Sequence, residues 1–139
     1  RLHLGDPARI PAVIDELTRE LRFTEYLDVP VRRLSLGTRQ KVGLAAAMAH
    51  DPALLILDEP TNGLDPLAVV GLRNLIGRAT ARGAAVLVTS HHFDELARIA
   101  DRVDVLHRGR IVDSFEPDGS DLERRFFASI LQADTADAA

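Results

Sequence analysis

Apolar residues recur every three or four positions between Pro11 and Arg22, at Val13, Ile14, Leu17 and Leu21. That spacing predicts an amphipathic helix, after a polar helical stretch opened by Asp6-Pro7. A short turn of helix over Thr24 to Leu27 is expected next, ended by Pro30. Ser35 has the side chain of an N-cap, and the Ala-, Leu- and Met-rich run Arg39 to His50 predicts a second helix, stopped by Asp51-Pro52. The pattern then changes. Ala53-Leu54-Leu55-Ile56-Leu57 is apolar without interruption between turn residues, which predicts a strand buried on both faces of a parallel sheet. Asp65-Pro66 supplies an N-cap and a first helical proline for a helix running to Ala81, and Gly83 breaks it. Ala84 to Thr89 reads as a second buried strand and Phe93 to Ala100 as a short helix. Val103 to Leu106 and Arg110 to Ser114 flank Arg108-Gly109, the pattern of a tight hairpin. Asp121 to Leu131 predicts a last amphipathic helix, and Gln132 to Ala139 a small polar tail expected to fray.

Strand, helix, strand, helix, hairpin is the order of an α/β fold with a mainly parallel sheet. The expected division is a helical subdomain over 1–52, an α/β core over 53–115 and a C-terminal helix with its tail over 116–139. In 139 residues that are 46% apolar but only 4% aromatic, the core must be built from Leu, Val, Ile and Ala.

Composition narrows the chemistry. Cysteine is absent, which excludes disulfides, zinc-thiolate sites and thiol catalysis. A net charge of −4 argues against general nucleic-acid binding. No apolar run approaches the ~20 residues needed to cross a bilayer. The chain therefore reads as soluble and, opening on Arg1 without a signal-peptide pattern, as a piece of something longer. Of 17 basic residues, all but Lys41 are arginine.

The strongest chemical signal is Leu54-Leu55-Ile56-Leu57-Asp58-Glu59-Pro60. A buried strand that ends in adjacent carboxylates carries them to the C-terminal edge of a parallel sheet, where ligands of open α/β sheets bind. Asp58 can hold a hard cation such as Mg²⁺ directly or through water, because such ions take oxygen ligands. Glu59 points differently and can accept a proton from an attacking water. Ser35 and Gly37 stand at a helix N-terminus, where backbone N–H groups and the positive helix end attract phosphate. On its own Ser35 is equally an ordinary N-cap, and a lone His91 more often a solvated histidine.

Taken together, these residues resemble the ATP-binding-cassette (ABC) ATPases. Residues 54–59 look like the family's Walker B strand and catalytic glutamate, and Gly63-Leu64-Asp65 like its D-loop. Leu34-Ser35-Leu36-Gly37-Thr38-Arg39-Gln40-Lys41 resembles the signature motif, Thr89-Ser90-His91 falls at the switch histidine, and the stretch from Asp101 to Val112 resembles the hairpin that follows. Leu36 and Thr38 depart from the commonest Leu-Ser-Gly-Gly-Gln form and resemble the signatures of ABC-2-type exporter ATPases. The resemblance implies a P-loop NTPase-like α/β fold with a partial, mainly parallel sheet flanked by helices, an N-terminal helical subdomain and a C-terminal hairpin and helix. It also implies ATP and Mg²⁺ as cofactors. Asp58 is then the metal ligand and Glu59 and His91 are catalytic. Ser35, Leu36 and Gly37 contact the γ-phosphate of ATP held by an opposite subunit, and Asp65 couples the two halves.

A P-loop needs Gly-x-x-x-x-Gly-Lys-Ser/Thr, whose amides and lysine hold the phosphates. The single lysine, Lys41, belongs to the signature helix, so these 139 residues contain no such motif. The chain alone is thus expected to be inactive, and to expose apolar sheet edges and faces. The parent protein is expected to work as a head-to-tail dimer of ATPase subunits, docked on a transmembrane permease at the cytoplasmic face of the membrane, with no nucleic acid. A soluble, ribosome-associated ABC ATPase and a non-catalytic accessory fragment are the alternatives.

Overall fold

The structure, a computed structural model, describes residues 7–119 and 121–137. Asp6 and the last two residues of the expected tail lie outside the described residues. The chain forms two compact units, one ending at Ser90 and the other beginning at His91.

The first unit contains helices α1 (Ile10–Glu20), α2 (Leu36–Met48) and α3 (Pro66–Ala81) and strands β1 (Leu54–Asp58) and β2 (Ala85–Thr89). Short 3₁₀ turns at Thr24–Tyr26 and Val31–Arg33 connect α1 to α2. Helix α1 ends in a Schellman-type turn: Phe23 N–H donates to the Thr18 carbonyl at 2.9 Å, and Arg22 takes a left-handed φ of 56°. Both later helices are capped as their sequences predict. Ser35 Oγ accepts from Thr38 N–H at 3.1 Å, and Asp65 Oδ1 accepts from Ala68 N–H at 3.0 Å with Pro66 following.

Helix α3 is the centre of this unit, burying Ala68, Gly71, Leu72, Leu75, Ile76 and Ala79. Helix α1 crosses it so closely that a Cβ on Gly71 would overlap the Glu20 carbonyl. Arg78 of α3 reaches back to Glu16 at 3.1 Å and Glu20 at 2.9 Å. Exposed pairs of this kind contribute roughly 1 kcal/mol or less, so the apolar contact and close backbone approach set the crossing.

Strands β1 and β2 pair in parallel with Leu54 opposite Ala85 and Asp58 opposite Thr89. Here the expectation of burial on both faces fails, and the expectation of an exposed apolar sheet face is met. Leu55 and Leu57 are buried, but Leu54 and Ile56 are 58% and 64% exposed, and Leu87 of β2 is 54% exposed. An apolar run does not reveal how many faces are covered. Strand alternation sends Leu54 and Ile56 to the face opposite Leu55 and Leu57, and that face is open to solvent.

The second unit contains α4 (Phe93–Ile99), β3 (Val103–His107), β4 (Arg110–Phe115) and α5 (Leu122–Asp137). Val105, Phe115 and Leu122 form its core, with Phe93, Leu96, Phe126 and Ile130 packed around them. Strands β3 and β4 form the expected antiparallel hairpin, with a bulge beside Val105. Its two turn residues, Arg108 and Gly109, have φ of 48° and 78°, the left-handed pair that a two-residue hairpin turn needs. Helix α5 runs on to Asp137, past Leu131 where a tail was expected. His107 Nε2 and Arg108 both reach Asp134, at 2.9 and 3.2 Å, and so tie that extra length to the hairpin. Among the described residues, no helix is long and apolar enough to cross a membrane.

Candidate functional site

The two carboxylates sit where β1 ends. Asp58 closes the strand opposite Thr89, whose hydroxyl donates to the Asp58 carboxylate. A carboxylate has about four acceptor positions, so one such bond leaves Asp58 with oxygen donors suited to a hard cation. The residues present therefore fit a Mg²⁺ ligand role. Glu59 turns sharply out of the strand direction with a φ of 45°. Its N–H donates to the Thr89 carbonyl at 2.9 Å, so the last parallel-sheet bond holds it in this left-handed conformation. A non-glycine residue there costs about 1–2 kcal/mol and is found where geometry matters. Thr89 thus orients both carboxylate residues, one through its hydroxyl and the other through its carbonyl.

After Glu59 the chain makes two consecutive turns, with Asn62 N–H on the Glu59 carbonyl at 3.2 Å and Leu64 N–H on the Thr61 carbonyl at 3.1 Å. They deliver Gly63, in a left-handed conformation at φ 74°, and then Asp65 at the N-cap of α3.

Ser35, Leu36 and Gly37 form the start of α2. The Ser35 hydroxyl caps the helix and also lies 2.8 Å from Thr38 Oγ1. The N–H groups of Leu36 and Gly37 fall in the first turn, outside the helix's own ladder. The Leu36 side chain is 76% exposed. Gly37 serves a purpose that the sequence did not reveal. A Cβ at this position would overlap the carbonyl oxygen of Gly63, so the glycine allows α2 to seat against the D-loop-like turn of the same chain.

One turn further along α2, Lys41 is buried, and its Nζ donates to Asp65 Oδ2 at 2.6 Å and to the Arg22 carbonyl at 3.2 Å. The bond from Lys41, and then that from Ala68 N–H, hold the Asp65 carboxyl below the ordinary aspartate range against the opposing effect of partial burial. The sequence placed Lys41 in the signature stretch and Thr89 beside the switch histidine, but it did not reveal that Lys41 bonds Asp65 or that Thr89 bonds Asp58. The signal for Lys41 was its standing as the one lysine among arginines.

The structure therefore brings together Ser35, Leu36, Gly37 and Asp65 through the contacts of α2 with the Gly63–Asp65 turn. Asp58 and Glu59 are adjacent at the end of β1. His91 opens the second unit, exposed, with its ring 4.2 Å from that of His92.

Comparison with known proteins bears on the family and the fold. Residues 6–98 match the family described as "AAA domain, putative AbiEii toxin, Type IV TA system". The uncharacterized ABC transporter ATP-binding protein YhcH of Bacillus subtilis is 43% identical over 101 residues, covering 72% of this chain and 33% of that protein. The Nod factor export ATP-binding protein I of Rhizobium meliloti is 41% identical over 108 residues, covering 78% of this chain and 32% of that one. A solved structure of the ATP-binding subunit of an ABC transporter superposes with a TM-score of 0.82 at 28% identity, covering 91% of this chain and 56% of that one. The chain thus spans between about a third and just under half of the length of the first curated relatives it matches. With a family model matching residues 6–98, ABC transporter ATP-binding proteins as its relatives, and a P-loop NTPase fold shared with the solved ATP-binding subunit, the chain belongs to this AAA-domain family and is an ATP-binding domain of the ABC type.

Proposed function

We propose that this chain supplies the signature, hydrolysis and switch elements of an ATPase subunit that powers export through a transmembrane permease, at the cytoplasmic face of the membrane. The observation that carries the reading is Glu59, held in a left-handed turn beside Asp58 at the carboxyl end of a parallel strand. Export is supported by the likeness to a Nod factor export protein and by the Leu-Gly form of the signature.

Phosphoryl transfer depends on positioning and charge stabilisation more than on covalent chemistry. Asp58 would hold Mg²⁺, which when bound neutralises charge on the phosphate oxygens. Glu59 accepts a proton from the water that attacks the γ-phosphorus, and the bond to the β–γ bridging oxygen breaks. ADP and inorganic phosphate are the products. Ser35 and the first N–H groups of α2 receive the γ-phosphate of ATP held by a second subunit, packed head to tail. Asp65 couples the two subunits, and His91 senses the γ-phosphate. Without the Gly-x-x-x-x-Gly-Lys-Ser/Thr motif, these 139 residues alone bind ATP too weakly to turn it over.

Glu59→Gln in the full-length parent protein tests the central assignment. ATP turnover should be abolished while nucleotide binding persists, and retained turnover overturns the base role. Isothermal titration of this chain with Mg-ATP tests the remainder, and micromolar binding would contradict it.

A further inference from the structure

The D-loop-like turn is joined to the signature helix by two contacts in the same chain. The first is the backbone approach of Gly37 to Gly63. The second is Lys41, four residues after Gly37 and therefore on the same face of α2. Its ammonium group bonds Asp65 Oδ2 at 2.6 Å and the carbonyl of Arg22 at 3.2 Å. A single buried cation thus joins the C-terminal end of α1, the signature helix and the N-cap of α3.

We propose that Lys41 is a positioning residue, a latch that fixes the Gly63–Asp65 turn and the end of α1 to the signature helix so that helix start and turn enter an opposing ATP site as one body. This rests on the ATPase reading above. Three observations carry it. The hydrogen bonds of the two turns lie within residues 59–64 and pass through a left-handed glycine, while Gly37 and Lys41 are the contacts that join the Gly63–Asp65 turn to α2. Lys41 is buried, and burying an ammonium group is costly unless it is paired; here it has an anionic acceptor and a carbonyl acceptor. Finally, every other basic residue in the chain is arginine. A lysine is found only where a compact point charge must fit between a carboxylate and a carbonyl, a place a planar guanidinium fork fills differently. Asp65 also caps α3 through its other oxygen, so loss of the lysine frees the turn without uncapping the helix.

The test uses the full-length parent protein and the variants Lys41→Met, Lys41→Arg, Asp65→Asn and the Lys41→Met/Asp65→Asn double. A misplaced turn costs transition-state positioning, so Lys41→Met should lower kcat about tenfold or more while KM for ATP changes less than about twofold. Asp65→Asn retains an N-cap and should show a similar loss. The double variant should be no worse than the poorer single variant, and Lys41→Arg, which keeps the charge but not the compact shape, should recover only part of kcat. Independently of turnover, hydrogen exchange in Lys41→Met should quicken at the amides of residues 61–65 but not at Leu72 and Leu75. Losses that multiply in the double variant, or unchanged exchange over 61–65, would overturn the latch. If the wild-type protein does not hydrolyse ATP, the ATPase reading fails while the exchange comparison still decides on the latch. Should Lys41→Met fail to fold, Asp65→Asn and Lys41→Arg carry the same comparisons.

Discussion

Gly37 lies directly against the carbonyl oxygen of Gly63, 26 residues further along the chain, with no room for a Cβ between them. A glycine proposed to approach phosphate is thus also a packing residue within its own chain. Gly37→Ala should destabilise by about 1–3 kcal/mol, as over-packing against an immobile backbone does. Gly43 on the same helix has open space around it, and Gly43→Ala should stabilise by about 0.5–1 kcal/mol. Urea unfolding of the two variants measures the contrast, and equal effects would remove the packing argument.

The left-handed backbone of Glu59 makes a prediction separate from its chemistry. Glu59→Ala and Glu59→Gly both remove the carboxylate, so their difference isolates the conformation. The glycine variant should be the more stable by about 1 kcal/mol or somewhat more. Neither should turn over ATP in the parent protein. Denaturant midpoints for the pair decide the point.

Acid should act on the second unit through Asp113. A bond from Ser129 Oγ at 2.7 Å, then Ser114 N–H and the charge of Arg125, hold its carboxyl below the ordinary value of 3.8, against partial burial. A folded pKa below the unfolded one contributes stability that is present above about that ordinary value and lost as pH falls through the folded one. Asp113→Asn should therefore lower stability at neutral pH and flatten its decline below pH 3.8. An unchanged acid limb, followed by circular dichroism, would show that the carboxylate is not the titrating group.

The two faces of β1 should respond differently to truncation. Leu57 is 4% exposed, so Leu57→Ala should cost about 2–5 kcal/mol. Ile56 is 64% exposed, and Ile56→Ser in this chain should change stability by no more than about 0.5 kcal/mol. The serine should instead reduce self-association, because an open apolar sheet face is adhesive. Light scattering of the chain before and after the change is the measurement.

What was legible in the sequence was local. Ser35 and Asp65 announced their helices because an N-cap acts within three residues, and Arg108-Gly109 announced a hairpin because its turn demands left-handed residues. The place of Asp58 and Glu59 at the end of a strand was legible because a strand end is local too. The Lys41–Asp65 pair was not legible, since nothing in either neighbourhood shows that residues 24 apart will meet. The open face of β1 was not legible in the apolar run, which has the same spelling whether one face is covered or two; it was legible only in the missing P-loop motif, from which exposed sheet faces were expected. The extra turns of α5 depend on Asp134 meeting His107 and Arg108 across the hairpin, again a tertiary matter.

The burial of Lys41 has a practical consequence as well. Acylating reagents attack only a neutral, reachable amine, and the one lysine of this segment is enclosed and hydrogen-bonded to Asp65. Its rate of modification, read at the level of the peptide, becomes a clock for how often the signature helix lets go of the turn beneath it. The chain carries a reporter of its own internal opening without any label having been added.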